Sequence, residues 1–257
     1  MATFLFDEII FGPVRSRRLG ASLGVNLLPT KSKVCSFDCI YCECGWTNSA
    51  DSKKLPTRDE VREHMQARLV KMKFDADNLD VITFAGNGEP TLHPSFAGII
   101  DDTIELRDEY FPDARIAVLS NSTMLHKSKV VNALLKVDQN ILKLDSGIDS
   151  TIQLLNQPHA SITVDKIVEN LHQFKGNFIL QTMFLRGTYK GKTMDNTTDI
   201  EVKKWLSIVK ELMPKEIMVY TIARDTPVET LIKVPLADLE AIADQARSLG
   251  ILVQVSG

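Results

Sequence analysis

The sequence predicts an α/β fold, a single domain built on an incomplete barrel of parallel strands. Short apolar runs rich in Val, Ile, Leu and Phe recur along the chain, which is how strands buried on both faces read. Between them lie helical stripes, and strand–helix alternation implies a parallel sheet with right-handed crossovers. A closed barrel of eight such units takes about 250 residues. Here an N-terminal segment and a long loop use part of the 257, which leaves six or seven units.

The expected strands fall at 22–28, 80–85, 115–120, 139–145, 177–185 and 216–222, with a weaker seventh at 251–255. The first helix opens at the capping-box pair Thr57 and Glu60, followed by Val61, Met65, Leu69 and Met72 on one face. Weaker helical patterns cover 96–110, 127–136 and 163–174. Thr198 and Glu201 repeat the capping pattern ahead of Val202, Trp205, Leu206, Val209 and Leu212, a stripe that Pro214 stops. Leu236, Leu239, Ile242, Ala243, Ala246 and Leu249 form the last stripe, ended by Gly250. Residues 1–21 read as an N-terminal extension, 22–222 as the barrel core and 223–257 as a closing helix and strand.

Composition narrows the function classes. Hydrophobic residues make up 44% and charged residues 25%, which excludes a disordered or collagen-like chain. The formal net charge of -3 does not indicate a nucleic-acid partner. No apolar run reaches the roughly 18 residues of a membrane helix. The N-terminus carries Asp7 and Glu8 within its apolar stretch and lacks the basic-then-apolar order of a signal peptide, so a cytoplasmic location is expected.

All four cysteines lie between Cys35 and Cys44. A disulfide framework would spread them along the chain, whereas clustered thiolates in a reducing compartment suggest a metal or cofactor. Cys35, Cys39 and Cys42 are spaced C-x3-C-x2-C, and closely spaced thiolates hold iron–sulfur clusters. Three ligands leave one iron of a four-iron cluster without a protein ligand. The alternative is a zinc site using all four cysteines. Against it stand the awkward C-x-C spacing of Cys42 and Cys44 and the absence of a second cysteine pair elsewhere.

Cys35-x3-Cys39-x-Tyr41-Cys42 resembles the signature of the radical S-adenosylmethionine (SAM) superfamily. Ala85-Gly86-Asn87-Gly88-Glu89-Pro90 is similar to that superfamily's Gly-Gly-Glu-Pro motif after the second strand. Residues 10–222 can be laid on its (βα)6 partial TIM-like barrel. The stretch Phe11–Gly20, GNGEPTLHP and QTMF also resemble the subgroup of wyosine-type tRNA-modifying synthetases, without their second cluster, for which no cysteines remain.

The resemblance implies that Cys35, Cys39 and Cys42 ligate a [4Fe-4S] cluster, whose fourth iron takes the amino and carboxylate groups of SAM. It implies that Gly86, Asn87, Gly88 and Glu89 receive the SAM amino group and that the main chain at Tyr41 meets the adenine. Ser120, Asn121, Lys143, Asp145, Gln181 and Met183 would share that rim, with Lys143 toward the SAM carboxylate and Asp145 toward a ribose hydroxyl or the ammonium. An external one-electron reductant of flavodoxin or ferredoxin type would charge the cluster. Reductive cleavage of SAM would then give methionine and a 5′-deoxyadenosyl radical that abstracts hydrogen from a small-molecule or nucleoside substrate.

Independently of the resemblance, glycines at 86 and 88 allow a backbone to come close to a ligand, and Glu89 offers a carboxylate to an ammonium. Taken alone, the same residues read as a strand-ending turn. Arg15, Arg17 and Arg18 are candidates for an anion clamp at the barrel mouth or a solvated charge run. Arg186 and Arg224 follow the fifth and sixth strands and are further substrate candidates. Cys44 is expected to be a bystander, His93 a loop-packing residue, and Tyr41 and Trp46 shields for the cysteine loop. Two other readings are an activase that installs a glycyl radical on a partner protein, and a non-catalytic iron–sulfur or zinc module.

Overall fold

The β-branched runs become strands because a short apolar segment flanked by turns satisfies its backbone only by pairing with neighbours. A computed structural model describes residues 4–16, 19–48 and 54–257. In chain order it begins with a hairpin, β1 (Ile10–Ser16) and β2 (Gly20–Val25), followed by a long loop bearing the cysteines. Then come α1 (Arg58–Phe74), β3 (Val81–Phe84), α2 (Phe96–Tyr110), β4 (Arg115–Ser120), α3 (Ser128–Leu134) and β5 (Gln139–Lys143). Two short helices, α4 (Asp149–Asn156) and α5 (Val164–Leu171), precede β6 (Ile179–Met183). A second hairpin, β7 (Leu185–Tyr189) and β8 (Lys192–Asp195), leads to α6 (Asp199–Leu212) and β9 (Glu216–Tyr220). The chain closes with β10 (Leu231–Lys233), α7 (Leu236–Arg247) and β11 (Leu252–Ser256).

The main sheet has the order β1-β2-β3-β4-β5-β6-β9-β11. Every pair from β2 onward is parallel, and only β1 is antiparallel. Parallel neighbours in chain order, joined by crossovers of one hand, place all helices on one face and curl the sheet around the other. The result is a partial, open barrel. Strand alternation shows both faces. Ile82, Phe84, Ile116, Val118, Leu142, Leu180 and Val219 pack outward against the helices. Val81, Ala117, Ile141, Ile179 and Met218 point inward and, with Leu19, form an apolar floor. That floor fills the N-terminal end of the barrel and leaves the carboxyl ends of the strands for polar groups.

Three features depart from the sequence expectations. The N-terminal extension supplies β1, whose residues Pro13 and Arg15 suit only an edge strand. A small antiparallel sheet, β10-β7-β8, follows the fifth parallel strand. Helix α4 lies where no helix is predicted, because its eight residues are too few for a clear period and its N-cap, Ile148, makes no side-chain cap. The capping boxes fare differently. Thr57 and Glu60 bond reciprocally at the start of α1, and Thr198 caps α6 by accepting from the Glu201 N–H. Among the described residues no helix is long and apolar enough to cross a membrane.

Candidate cofactor site

The loop from Val34 to Gly45 lies across the carboxyl ends of the strands, held from two sides. On one side the turn after β3 takes it by backbone bonds, Val34 N–H to the Asn87 carbonyl at 2.9 Å and Glu89 N–H to the Val34 carbonyl at 3.1 Å. This contact explains Gly88. Its φ is +133°, and a Cβ there would stand 1.9 Å from the Val34 oxygen. The close approach that glycine permits is therefore made by the cysteine loop itself. Asn87 is equally engaged. Its side chain accepts from Phe6 N–H and donates to the Phe6 and Pro29 carbonyls, each at 2.8 Å.

Glu89 is 2% exposed. One carboxylate oxygen accepts from Thr91 N–H, the Thr91 hydroxyl and Ser120 Oγ, and the other accepts Asn121 N–H at 2.6 Å. Burial raises its pKa, while these donors work the other way. The side chain thus ties the turn to the end of β4. Asn121 then reaches the loop, donating to Ser36 Oγ at 2.9 Å and to Cys35 Sγ at 3.5 Å.

On the other side the end of α4 and the residues after it pair with the loop. Ile40 N–H donates to the Leu155 carbonyl, Asp38 N–H to the Gln157 carbonyl, and His159 N–H to the Ser36 carbonyl, at 3.0–3.2 Å. Asn156 Nδ2 contacts Asp145 Oδ2 at 2.7 Å and Cys39 Sγ at 3.3 Å.

Below the loop, Lys143 Nζ donates to the hydroxyls of Tyr41 at 3.0 Å and Tyr220 at 2.9 Å, 3.7 Å from Asp145. Burial disfavours its charge, but Asp145, Tyr220 and Cys39 outweigh that and raise the pKa. Asp145, 1% exposed, also accepts from the Tyr41 hydroxyl and from Met183 N–H. Gln181 and Met183 are buried on β6. A pocket opens beside Tyr41, lined by Glu43, Met183, Tyr220 and Arg224, with Arg224 paired to Glu43 at 2.6 Å.

The electrostatics of the loop rest on a residue the sequence reading passed over. Lys33, with a side chain 1% exposed, pairs with Asp38 at 3.0 Å and donates to the Gly45 carbonyl at 2.8 Å. Burial works against its charge, yet the Cys42 and Cys35 sulfurs and Asp38 prevail and raise its pKa. Cys42 is pulled down to about 6, first by its hydrogen bond with Cys44 and then by Lys33, against burial. Burial pushes Cys39 up to about 11 and raises Cys35 further. Cys44 also donates weakly to the Gly86 carbonyl at 3.6 Å.

One arginine expectation needs correction. Arg15 pairs with Ala21 at the start of β2, the N-terminal end of the barrel and the face opposite the rim. An anion clamp at the mouth is therefore not built from it, and Arg17 and Arg18 lie outside the described residues. Arg186 donates to Thr197 Oγ1 at 2.9 Å and to Asp238 at 2.8 Å, bonds that brace the small sheet against α7. His93 packs in its loop, with Nε2 2.8 Å from the Pro56 carbonyl. Trp46 stacks on Tyr189, whereas Tyr41, within the loop, is 8% exposed and directs its hydroxyl at Asp145 and Lys143.

Three free thiols on one loop, Cys35, Cys39 and Cys42, are the donor chemistry that an iron–sulfur cluster takes. Among the described residues no three His, Cys, Asp or Glu side chains converge as they would around one metal ion. A four-iron cluster instead spreads its thiolates over separate irons. Cys35, Cys39 and Cys42 lie on one braced loop beside the buried Lys33.

The sequence matches the family model of the Radical SAM superfamily over residues 30–200, two thirds of the chain, and the chain belongs to that superfamily of enzymes. UPF0026 protein MJ1312 of Methanocaldococcus jannaschii is 34% identical over 233 residues, which cover 88% of this chain and 67% of that protein. A radical SAM methyltransferase from Sphaerobacter thermophilus shares the fold with a TM-score of 0.68 at 13% identity, over 91% of this chain and 65% of its own. Streptococcus suis SuiB bound to S-adenosylmethionine shares it with a TM-score of 0.63 at 15% identity, over 88% of this chain and 49% of its own. The chain thus spans less than two thirds of either solved chain. These matches define the superfamily and carry no assignment to the wyosine-type subgroup.

Proposed function

We propose that Cys35, Cys39 and Cys42 hold a [4Fe-4S] cluster and that the chain cleaves SAM reductively to act on a small-molecule or nucleoside substrate by hydrogen abstraction. The observation that carries this reading is the position of the three thiols, which sit together on a loop braced at the carboxyl ends of the barrel strands in a superfamily chain. When bound, the cluster and SAM supply one-electron cleavage of a sulfonium carbon–sulfur bond.

The chain's own residues position and shield. Lys33 offsets the negative charge that three thiolates bring to a buried loop. The Gly86–Glu89 turn fixes the height of the loop above the barrel and is the proposed site of the SAM amino group. Because both Glu89 oxygens already hold donors, its contribution is to fix that backbone and the Ser120–Asn121 strand end. Lys143, anchored by two phenols and Asp145, presents fixed positive charge on the barrel interior for a carboxylate. Tyr41, Gln181 and Met183 complete the wall that excludes water. Arg224 on the pocket beside Tyr41 is the proposed substrate contact. A flavodoxin- or ferredoxin-type donor and a cytoplasmic location complete the proposal.

The test is anaerobic reconstitution with iron and sulfide, then incubation with SAM and dithionite. The expected product is 5′-deoxyadenosine. A fully loaded protein that yields none contradicts the proposal and supports a binding module. If turnover appears only with a partner protein that acquires a glycyl radical, the activase reading replaces it.

A further inference from the structure

We infer that Asn156 is a positioning residue for the cluster, holding the Cys39 sulfur and raising the reduction potential through an N–H···S bond. This rests on the reading of Cys39 as a ligand. Asn156 is the last residue of α4, and Gln157 leaves the helix in the left-handed region at φ 44°. That turn drives residues 155–159 alongside the cysteine loop, where backbone bonds at Leu155 and Gln157 fix the register on either side of Asn156.

The side chain is 1% exposed and its amide nitrogen is committed in an informative way. It donates to Asp145 Oδ2 at 2.7 Å, which orients the amide, and lies 3.3 Å from Cys39 Sγ and from the Tyr41 hydroxyl. Asp145 is fixed in turn by Met183 N–H at 2.9 Å and by the Tyr41 hydroxyl. The amide oxygen is buried without a hydrogen-bond partner. The side chain therefore acts through its two N–H groups, one held by Asp145 and one placed between the Cys39 sulfur and the Tyr41 hydroxyl.

Adding an electron to an iron–sulfur cluster increases the negative charge on its sulfurs. A donor aimed at a ligand sulfur stabilises that reduced state, and hydrogen bonds to the sulfurs are among the factors that set cluster potentials. Asn156 would therefore make the cluster easier to reduce by an external donor, at an atom 117 positions away in sequence.

The test compares reconstituted wild type with Asn156→Leu and Asn156→Ala in an EPR-monitored redox titration without SAM, alongside iron content and thermal melting. The expected result is full loading in a variant with its potential moved negative, so that the reduced-to-oxidised ratio at a fixed potential falls about tenfold, or about 59 mV for one electron. A loaded variant with an unmoved or more positive potential overturns the inference. Loss of loading in both variants at an unchanged melting temperature supports the holding role. Loss with a lowered melting temperature makes Asn156 a fold residue and overturns it. Failure of wild type to load any cluster sinks the underlying reading instead.

Discussion

The two braces on the cysteine loop do the same mechanical task with different materials. The Gly86–Glu89 turn grips with a tight backbone approach and a buried carboxylate that collects donors from Thr91 and from the end of β4. The end of α4 and the residues after it grip with three extended-chain hydrogen bonds and one amide side chain. The first brace is a contiguous run with unusual residues, and each of its glycines stands where a side chain would collide. The second is an ordinary short helix whose role appears only once the chain has folded. A site motif thus marks half of its support, and the other half is generic in composition.

The largest effect should come from breaking what both braces hold. Replacing Cys39 with Ala is expected to abolish cluster loading and SAM cleavage, assayed by iron, sulfide and 5′-deoxyadenosine. Replacing Cys44 should leave all three largely intact. An empty site in Cys44→Ala would make Cys44 a ligand. Next is the turn. Gly88→Ala places a Cβ against the Val34 carbonyl at a φ that L-residues avoid, which should cost roughly 3 kcal/mol in urea unfolding and weaken loading. A neutral result would mean that the loop is held by the α4 side alone.

Lys33→Met probes the loop between the braces. It removes a buried donor to Asp38 and the Gly45 carbonyl, and should cost about 2 kcal/mol. It should also move the cluster potential negative, in a redox titration, because a fixed positive charge favours the reduced state. The smallest effect is a pH slope. His93 closes the turn after Glu89, and burial lowers its pKa below 6.5. The unfolded chain takes up a proton near pH 6.5 that the folded chain refuses until lower pH, so stability falls as pH drops below about 6.5. The decline levels off once the folded histidine is protonated. His93→Gln should flatten that slope in unfolding curves between neutral and mildly acidic pH.

Most of the barrel was legible because its strands are apolar on both faces. The run 115–120 coincides with β4, and the run near 22–28 becomes β2 at Gly20–Val25. The antiparallel additions were not legible from apolar runs, since β7 and β8 alternate with polar residues on a half-exposed sheet. A signal for them existed. Lys190 and Gly191, both at positive φ, form a two-residue hairpin turn between Thr-Tyr and Lys-Thr. At the site, the cysteine loop and the Gly-Glu-Pro run stand out in the sequence, and the structure joins them by backbone bonds at Val34. Lys33 and Asn156 gave no sequence signal, because burial and contacts across long separations decide what a lone Lys or Asn does. Arg15 misled because proximity to the first strand in sequence says nothing about which end of the barrel a preceding hairpin strand reaches.

The central proposal is that three loop sulfurs carry a four-iron cluster with one corner free for SAM. The direct measurement is iron and sulfide content of the anaerobically reconstituted protein, with EPR spectra of the reduced sample before and after SAM is added. The expected result is about four iron and four sulfide per chain and a spectrum that SAM alters. An iron-free protein, or a cluster whose spectrum SAM leaves unmoved, would contradict it.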